Sequence, residues 1–250
     1  PYAEVISAEH PYVTNFVPNS DQPIDRLGFK TVIAPLQVDL LSGVQEQTLV
    51  ARVHQPVELD SAQVGETTTV TINLAAEALA DPAGSYQLIV RLPAGNGRLR
   101  IESIELSSSQ LPPDAPKQPL LIAPVDLAMG EETAVAVVPN LGVQVDRAIV
   151  TLSVVEPVTT APVLTRIKIS DPATGSVLLE QNALLATTFG KGGQHTLHIV
   201  ELAAPVRATN SNALSLELSA SNGLVQFLGT AVANESSWDD GLPLRMDGYD

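Results

Sequence analysis

The chain has 250 residues, a net charge of −15 and no cysteine, and these values limit its fold and its partners. The length suits two domains of ordinary size, each able to bury a core without metal or disulfides. Only 13 residues are Lys or Arg, which argues against nucleic acid or an anionic membrane surface as a partner, because both attract basic surfaces. Aromatic residues make up 4% of the chain against 44% for all apolar residues, so the cores must consist mainly of aliphatic side chains.

Apolar residues alternate with polar ones, or form short β-branched runs, along almost the whole chain, which predicts short strands joined by turns. In the first half, we predict strands at 3–7, 12–17, 27–34, 48–54, 68–74, 86–92 and 98–106. In the second half, we predict them at 120–124, 133–138, 148–155, 163–170, 176–180, 195–202, 213–218 and 224–232. Residues 75–80 are the one candidate for a short helix. The predicted fold class is therefore all-β.

The second half of the sequence repeats features of the first half in the same order. Pro18-Asn19, followed after four residues by Ile24-Asp25-Arg26, matches Pro139-Asn140 and Val145-Asp146-Arg147. Three further matches are 49–53 with 163–167, 69–74 with 196–202, and 88–101 with 214–227. We infer an internal duplication that produces two tandem jelly-roll-like β-sandwich domains. We interpret the two Asp-Arg pairs as structural: a hydrogen bond or ion pair that sets the entry into the next strand.

Two composition changes mark the predicted boundaries. Serine and proline replace the apolar pattern at 107–117, directly after the last repeated strand of the first copy. We therefore predict a first domain at 1–110, a semi-rigid linker at 111–117 and a second domain at 118–233. Residues 234–250 lose the strand pattern and form an irregular acidic tail with the only tryptophan.

The dipeptides Asn96-Gly97 and Asn222-Gly223 each separate two alternating apolar runs. Asn-Gly supplies the positive φ angles that a two-residue hairpin turn needs. We therefore predict a tight hairpin at each of them.

No motif in the sequence points to catalysis or to a cofactor. The chain lacks a nucleophile elbow and the glycine-rich nucleotide motifs, and neighbouring acids such as Glu131-Glu132 are usually solvated charges rather than a facing pair. His195 and His198 are three residues apart on a predicted strand, where they would point to opposite faces. No calcium-loop pattern occurs either. We predict a chain that is not an enzyme and that holds no metal or cofactor.

The tail holds the candidate interaction residues, which are Trp238, Asp239, Asp240, Arg245, Asp247 and Tyr249. The run from Asn234 to Asp250 resembles a segment of large bacterial polytopic membrane proteins, which are similar to lipid-carrier-dependent glycosyltransferases of the dolichyl-phosphate-mannose type. In that family the segment follows a β-rich soluble region outside the membrane. The resemblance implies an extracytoplasmic or cell-surface location in a bacterium, and it carries no catalytic residue onto this chain. Within the chain, no apolar run reaches the roughly 20 residues of a membrane span, so we predict no direct insertion.

Three functions fit these observations. The leading prediction is a non-catalytic accessory or docking region of a membrane-anchored protein that could handle glycans, with a protein or a glycan as partner. The first alternative is a free-standing tandem carbohydrate-binding module, since the predicted sandwiches resemble such modules; it needs an exposed aromatic ring such as Tyr12 or Tyr86. The second alternative is a structural cell-surface or assembly protein, in which sheet edges pair with neighbours. The ligand and the oligomeric state stay open.

Overall fold

The computed structural model describes residues 4–18, 23–43, 47–74, 79, 84–189, 197–208, 213–221 and 223–233, and within these ranges it contains strands and no helix. The first nine strands are β1 (Glu4–Ile6), β2 (Tyr12–Phe16), β3 (Ile24–Ile33), β4 (Pro35–Ser42), β5 (Thr48–Pro56), β6 (Thr67–Asn73), β7 (Tyr86–Arg91), β8 (Gly95–Ser107) and β9 (Gln118–Pro119). The others are β10 (Val125–Ala128), β11 (Glu132–Val137), β12 (Arg147–Thr160), β13 (Val163–Ser170), β14 (Val177–Leu185), β15 (Leu197–Val206), β16 (Leu214–Ala220) and β17 (Val225–Ala233).

The strands form two compact units, each with two four-stranded antiparallel sheets as its main elements. Unit 1 consists of residues 1–34 and 162–250, and unit 2 consists of residues 35–161. The sheets of unit 1 have the orders β1-β17-β3-β15 and β14-β13-β16-β2. Those of unit 2 have the orders β10-β8-β12-β6, where β9 also pairs with β8, and β11-β7-β4-β5. The predicted all-β class of β-sandwich domains is confirmed.

Unit 1 has the strand order of a jelly roll. When its eight strands are counted along the chain, its sheets have the orders 1-8-3-6 and 5-4-7-2, which are those of the eight-stranded, double-sheet jelly roll. Unit 2 is inserted between the third and the fourth of these strands, β3 and β13. The strands of unit 2 give the same two orders when they are numbered in the sequence β10, β11, β12, β4, β5, β6, β7, β8. Unit 2 is therefore a circularly permuted jelly roll.

The strands of the two predicted repeats occupy corresponding places. If each of β1–β8 is exchanged with its counterpart in β10–β17, taken in order, the sheets of unit 1 become those of unit 2. Each unit therefore combines three strands of one half of the chain with five strands of the other half. This correspondence supports the predicted duplication, although common ancestry of the two halves stays a prediction.

The predicted domain boundary at 111–117 does not separate the compact units. Strands β10, β11 and β12 follow this segment and pair with β8, β7 and β6, which precede it. The predicted linker therefore lies inside unit 2. The pairing of strands distant in sequence, and not the order of the sequence matches, decides which strands close one sandwich.

Strand β4 was not predicted, and its omission shifted one of the sequence matches. Residues 49–53 lie in β5, which corresponds to β14, whereas residues 163–167 lie in β13, which corresponds to β4. The overlooked signal is the Ala-Pro step at 34–35, where β4 begins, and at 161–162, directly before β13. The strand predicted at 120–124 is also wrong, because this range falls between β9 and β10.

The predicted hairpin at Asn96-Gly97 is wrong as well. Both residues belong to β8, where Asn96 lies opposite Thr159 of β12, and the turn from β7 to β8 occupies 92–94. Gly97 has a φ of 95°, and a Cβ there would lie 2.1 Å from the carbonyl oxygen of Pro157. Glycine is needed here for a close approach of two strands. Asn222 and most of the candidate helix at 75–80 lie outside the described residues.

The cores are mainly aliphatic, as the composition predicts. Alternate residues of the central strands are fully buried, and each such side chain contributes about 1.5–3 kcal/mol relative to an exposed one. In unit 2 these residues include Leu36, Leu40, Leu88, Leu99, Ile101 and Ile104. In unit 1 they include Leu27, Phe29, Ile167, Ile169, Leu216 and Leu218.

Candidate functional site: a pocket beneath the proline-rich segment

A pocket of about 210 Å³ opens on the outer face of the β10-β8-β12-β6 sheet in unit 2. The sheet contributes Thr71 from β6, Ser107 from the end of β8, and Arg147 and Ile149 from β12. The rest of the lining comes from residues 108–117, which we call the proline-rich segment. Its lining residues are Ser108, Leu111, Pro112, Pro113, Ala115, Pro116 and Lys117.

The proline-rich segment is anchored at its start by Asp146, the residue before β12. The backbone N–H of Ser109 donates to Oδ1 of Asp146 at 2.8 Å, and the Ser109 hydroxyl donates to Oδ2. Two turns then follow, with the N–H of Leu111 bonded to the carbonyl of Ser108 and that of Ala115 bonded to the carbonyl of Pro112. These contacts give the segment a defined path at the edge of the pocket.

Strand β9 anchors the other end of the segment. Gln118 and Pro119 pair with Leu106 and Glu105 of β8. The Gln118 side chain donates from Nε2 to the carbonyl of Val138 at 2.7 Å, and its Oε1 accepts the backbone N–H of Asn140 at 2.8 Å. Because both ends are held, the pocket is preformed in the folded unit.

The repeated sequence motif thus has a structural explanation in unit 2. Asn140 donates its backbone N–H to Gln118, the residue directly after the segment. Asp146 holds the start of the segment, and Arg147 lines the pocket. The predicted hydrogen bond of Asp146 exists, but its partner is distant in sequence. In unit 1, Asp25 corresponds to Asp146, and its Oδ1 is buried with no hydrogen-bond partner among the described residues.

Two cations and no acid are found among the described residues that line the pocket. Lys117 and Arg147 have side chains that are 38% and 41% exposed. Lys117 Nζ lies 3.9 Å from Glu105 Oε2, and Arg147 Nε lies 4.0 Å from Asp146 Oδ1. Charge-assisted hydrogen bonds measure about 2.7–2.9 Å, so both cations keep donors available for a ligand.

The carboxylate of Asp146 stays ionised under neutral conditions. Burial acts to raise the pKa of Asp146, but the hydrogen bonds from the Ser109 side chain and backbone, together with the charge of Arg147, outweigh it and lower the pKa. A carboxylate that accepts hydrogen bonds is stabilised in its charged form. Both oxygens are engaged by Ser109, which leaves the Arg147 guanidinium without a short partner on this side.

A second polar cluster, around Asp39 on the outer face of the β11-β7-β4-β5 sheet, is saturated. Asp39 is 6% exposed and accepts hydrogen bonds from Arg52 at 2.7 and 3.0 Å and from Gln37 at 2.9 Å. Burial acts to raise its pKa, yet these hydrogen bonds and the charges of Arg52 and Arg91 lower it. Since both carboxylate oxygens have partners, we interpret the cluster as structural.

Other charged side chains form cross-strand pairs. Nε of Arg91 donates to Glu132 at 2.7 Å, and Nζ of Lys168 donates to Glu217 at 2.9 Å. Glu131 accepts the backbone N–H of Ala128 in the turn before β11. These contacts explain both adjacent acids as structural: Glu131 stabilises the turn, and Glu132 forms a cross-strand pair of opposite charge, which stabilises a sheet modestly.

The residues predicted as candidate interaction sites lie outside the described residues. They are Trp238, Asp239, Asp240, Arg245, Asp247 and Tyr249. His195 also lies outside them, while His198 lies on β15 opposite Phe29, and burial lowers its pKa. Within the described ranges, no group of three or more His, Asp or Glu side chains is placed to hold a metal ion. No helix capable of crossing a bilayer occurs in that part of the chain.

The aromatic side chains that the structure describes face the cores. Tyr86 is buried, and Tyr12 packs against the core of unit 1. Phe16, Phe29 and Phe189 are buried too. None of these rings forms the exposed platform on which a sugar stacks.

The chain matches no protein-family model, no curated protein and no solved structure. The resemblance of residues 234–250 to a membrane glycosyltransferase segment therefore stays a prediction. The pocket itself was missed in the sequence, where its proline-rich wall was interpreted as a linker. Its available signals were the lysine that ends the segment, Lys117, and the Asp-Arg pair at the start of β12.

Proposed function

We propose that the chain is a non-catalytic accessory or docking region of a membrane-anchored, extracytoplasmic protein, and that it docks its partner through the pocket of unit 2. The pocket is the observation that carries this proposal. Its lining combines two cations, three hydroxyl groups and aliphatic side chains, which are groups that bind and orient a ligand. Because the proline-rich segment is held at both ends, little conformational freedom is lost on binding.

The architecture is consistent with a docking role. Both units are sandwiches whose described outer faces carry paired charges, for example Lys168 with Glu217 and Arg91 with Glu132. Such faces present a fixed pattern of charge to a partner and contribute more to the specificity of an encounter than to its affinity.

Fractionation of the source cells tests the accessory role. Membranes and soluble material are separated and probed with an antibody raised against residues 35–161, with cells that lack the gene as control. We expect a band far larger than 26.3 kDa in the membrane fraction. A soluble band near the mass of this chain would overturn the proposal and direct attention to the two alternatives.

Of these alternatives, surface assembly has a specific observation in its favour. Leu184 of β14 is 68% exposed and Val13 of β2 is 57% exposed, and these strands are the two edges of one sheet in unit 1. Exposed apolar edges can pair with another chain. Light scattering at increasing protein concentration should then show oligomers that Leu184→Lys reduces, whereas a monomer at all concentrations rejects assembly. The carbohydrate-module alternative has less support, since Tyr12 and Tyr86 face the cores.

A further inference from the structure

We propose that the pocket beneath the proline-rich segment binds the anionic group, a carboxylate or a phosphate, of a small organic ligand between Lys117 and Arg147. The inference rests on the proposed docking role of this same pocket, and it names the chemistry that the pocket recognises. It does not depend on where the protein resides.

The described lining of the pocket is positively charged, although the chain as a whole is acidic. The chain has 28 acidic residues against 13 basic ones, yet the described lining of the pocket contains two basic residues and no acid. The two cations also differ in chemistry. The guanidinium of Arg147 offers a planar fork that matches a carboxylate or phosphate, and the ammonium of Lys117 adds a mobile point charge.

The neighbouring acids lie close to the two cations but form no short hydrogen bond with them. Asp146 uses both carboxylate oxygens to accept hydrogen bonds from Ser109, and its separation from Arg147 is 4.0 Å. Glu105 lies 3.9 Å from Lys117. An anion that enters the pocket can therefore form short charge-assisted hydrogen bonds to Lys117 and Arg147 without first breaking one that these side chains form with the described residues.

The remaining lining sets the size and character of the ligand. Thr71, Ser107 and Ser108 supply hydroxyl groups, each of which both donates and accepts a hydrogen bond. Leu111, Ile149 and the prolines present apolar surface to the body of the ligand. A volume of about 210 Å³ lies below the ~300–1,000 Å³ of pockets for drug-sized molecules, so the ligand is about the size of one sugar acid or one amino acid.

Titration of the full chain with matched probes tests the proposal. Glucuronate and glucose differ by a carboxylate in place of a hydroxymethyl group, and inorganic phosphate tests the other anion. Binding is followed by two-dimensional ¹H–¹⁵N NMR, with the backbone N–H groups of the non-proline residues in 107–117 and of residues 147–149 as reporters. We expect saturable shifts at these amides with glucuronate, phosphate or both, and none with glucose. If just one of the two anions gives saturable shifts, that anion shows whether the pocket binds a carboxylate or a phosphate.

Charge-removing variants locate the site. Arg147→Gln and Lys117→Gln should each weaken binding about tenfold, because a hydrogen bond to a charged group has roughly that worth. Arg98→Gln is the matched control: it removes the same charge from β8, roughly 30 Å along the strand from Ser107, and should leave affinity within twofold. Lys117→Gln alters only the segment, so it remains informative if Arg147→Gln destabilises the sheet. Melting curves of all variants show whether they fold.

Two results would overturn the inference. The first is that neither glucuronate nor phosphate shifts the reporter amides, or that glucuronate, phosphate and glucose shift them equally. The other is that folded Lys117→Gln and Arg147→Gln bind as tightly as the native chain. If either occurs while the large membrane band persists, the anion site is wrong and the accessory role stands. If anions bind but the native protein is small and soluble, the accessory role is wrong and the pocket stands.

Discussion

The strand pairing predicts that residues 35–161 fold on their own and that residues 1–110 do not. Among the residues that the structure describes, every strand from β4 to β12 pairs only with other strands of that range. A fragment that ends at residue 110 lacks β12, the central partner of both β6 and β8. It also lacks β15, β16 and β17, which are the partners of β1, β2 and β3.

The expected loss of stability can be worked from the side chains of β12. Ile149, Val150, Leu152 and Val154 are each at most 8% exposed in unit 2. At about 1.5–3 kcal/mol for each buried side chain, their loss removes about 6–12 kcal/mol. A natural domain has only about 5–15 kcal/mol of net stability. We therefore expect residues 1–110 to be unfolded.

Far-UV circular dichroism and urea titration of both fragments provide the assay. Residues 35–161 should show a strand spectrum and one cooperative transition, and residues 1–110 should show neither. A joined chain of residues 1–34, a short Gly-Ser linker and residues 162–250 is the control, since it restores an uninterrupted jelly roll and should fold. Cooperative unfolding of residues 1–110, or its absence in residues 35–161, would refute the strand pairing.

Three point substitutions give further predictions. Asp146→Ala removes the anchor of the proline-rich segment, so stability should fall by about 1–2 kcal/mol and the segment's amides should exchange faster; unchanged exchange would show that Asp146 does not hold it. Gly97→Ala places a Cβ against a carbonyl of β12, whereas Gly65→Ala, also at positive φ, meets open space. Urea unfolding should therefore show a much larger loss of stability for Gly97→Ala than for Gly65→Ala. Equal losses of stability would contradict the close approach of β8 and β12. The folded pKa of Asp39 is depressed below 3.8, so its stabilisation is present above the unfolded pKa and is lost as pH falls through the folded pKa. Asp39→Asn should lower stability near neutral pH by about 1–3 kcal/mol and flatten its acid dependence below pH ~4. If stability falls equally with pH in the native protein and in Asp39→Asn, Asp39 is not the source of the acid dependence.

The features that the sequence predicted correctly depend on local patterns. A side-chain period of two identifies a strand without knowledge of its partner, and most predicted strands, such as 163–170, coincide with observed ones. Composition likewise predicted aliphatic cores. The errors arose where a local pattern has two structural uses. Asn96-Gly97 suits a hairpin, but the glycine is needed for the approach of β12, which lies sixty residues away in sequence.

The all-β class and the mainly aliphatic cores were thus available from residues close together in the chain. The grouping of strands into units was not, because corresponding strands of two similar repeats can pair within one repeat or across both. Here β12 pairs with β6 and β8 rather than with strands of its own half. The same long-range pairing brings Arg147 beneath the proline-rich segment and so creates the pocket. A proline-rich composition is compatible with a linker and with the wall of a pocket. The hydrogen bonds of Ser109 and Gln118 in the folded unit show that the segment is a pocket wall.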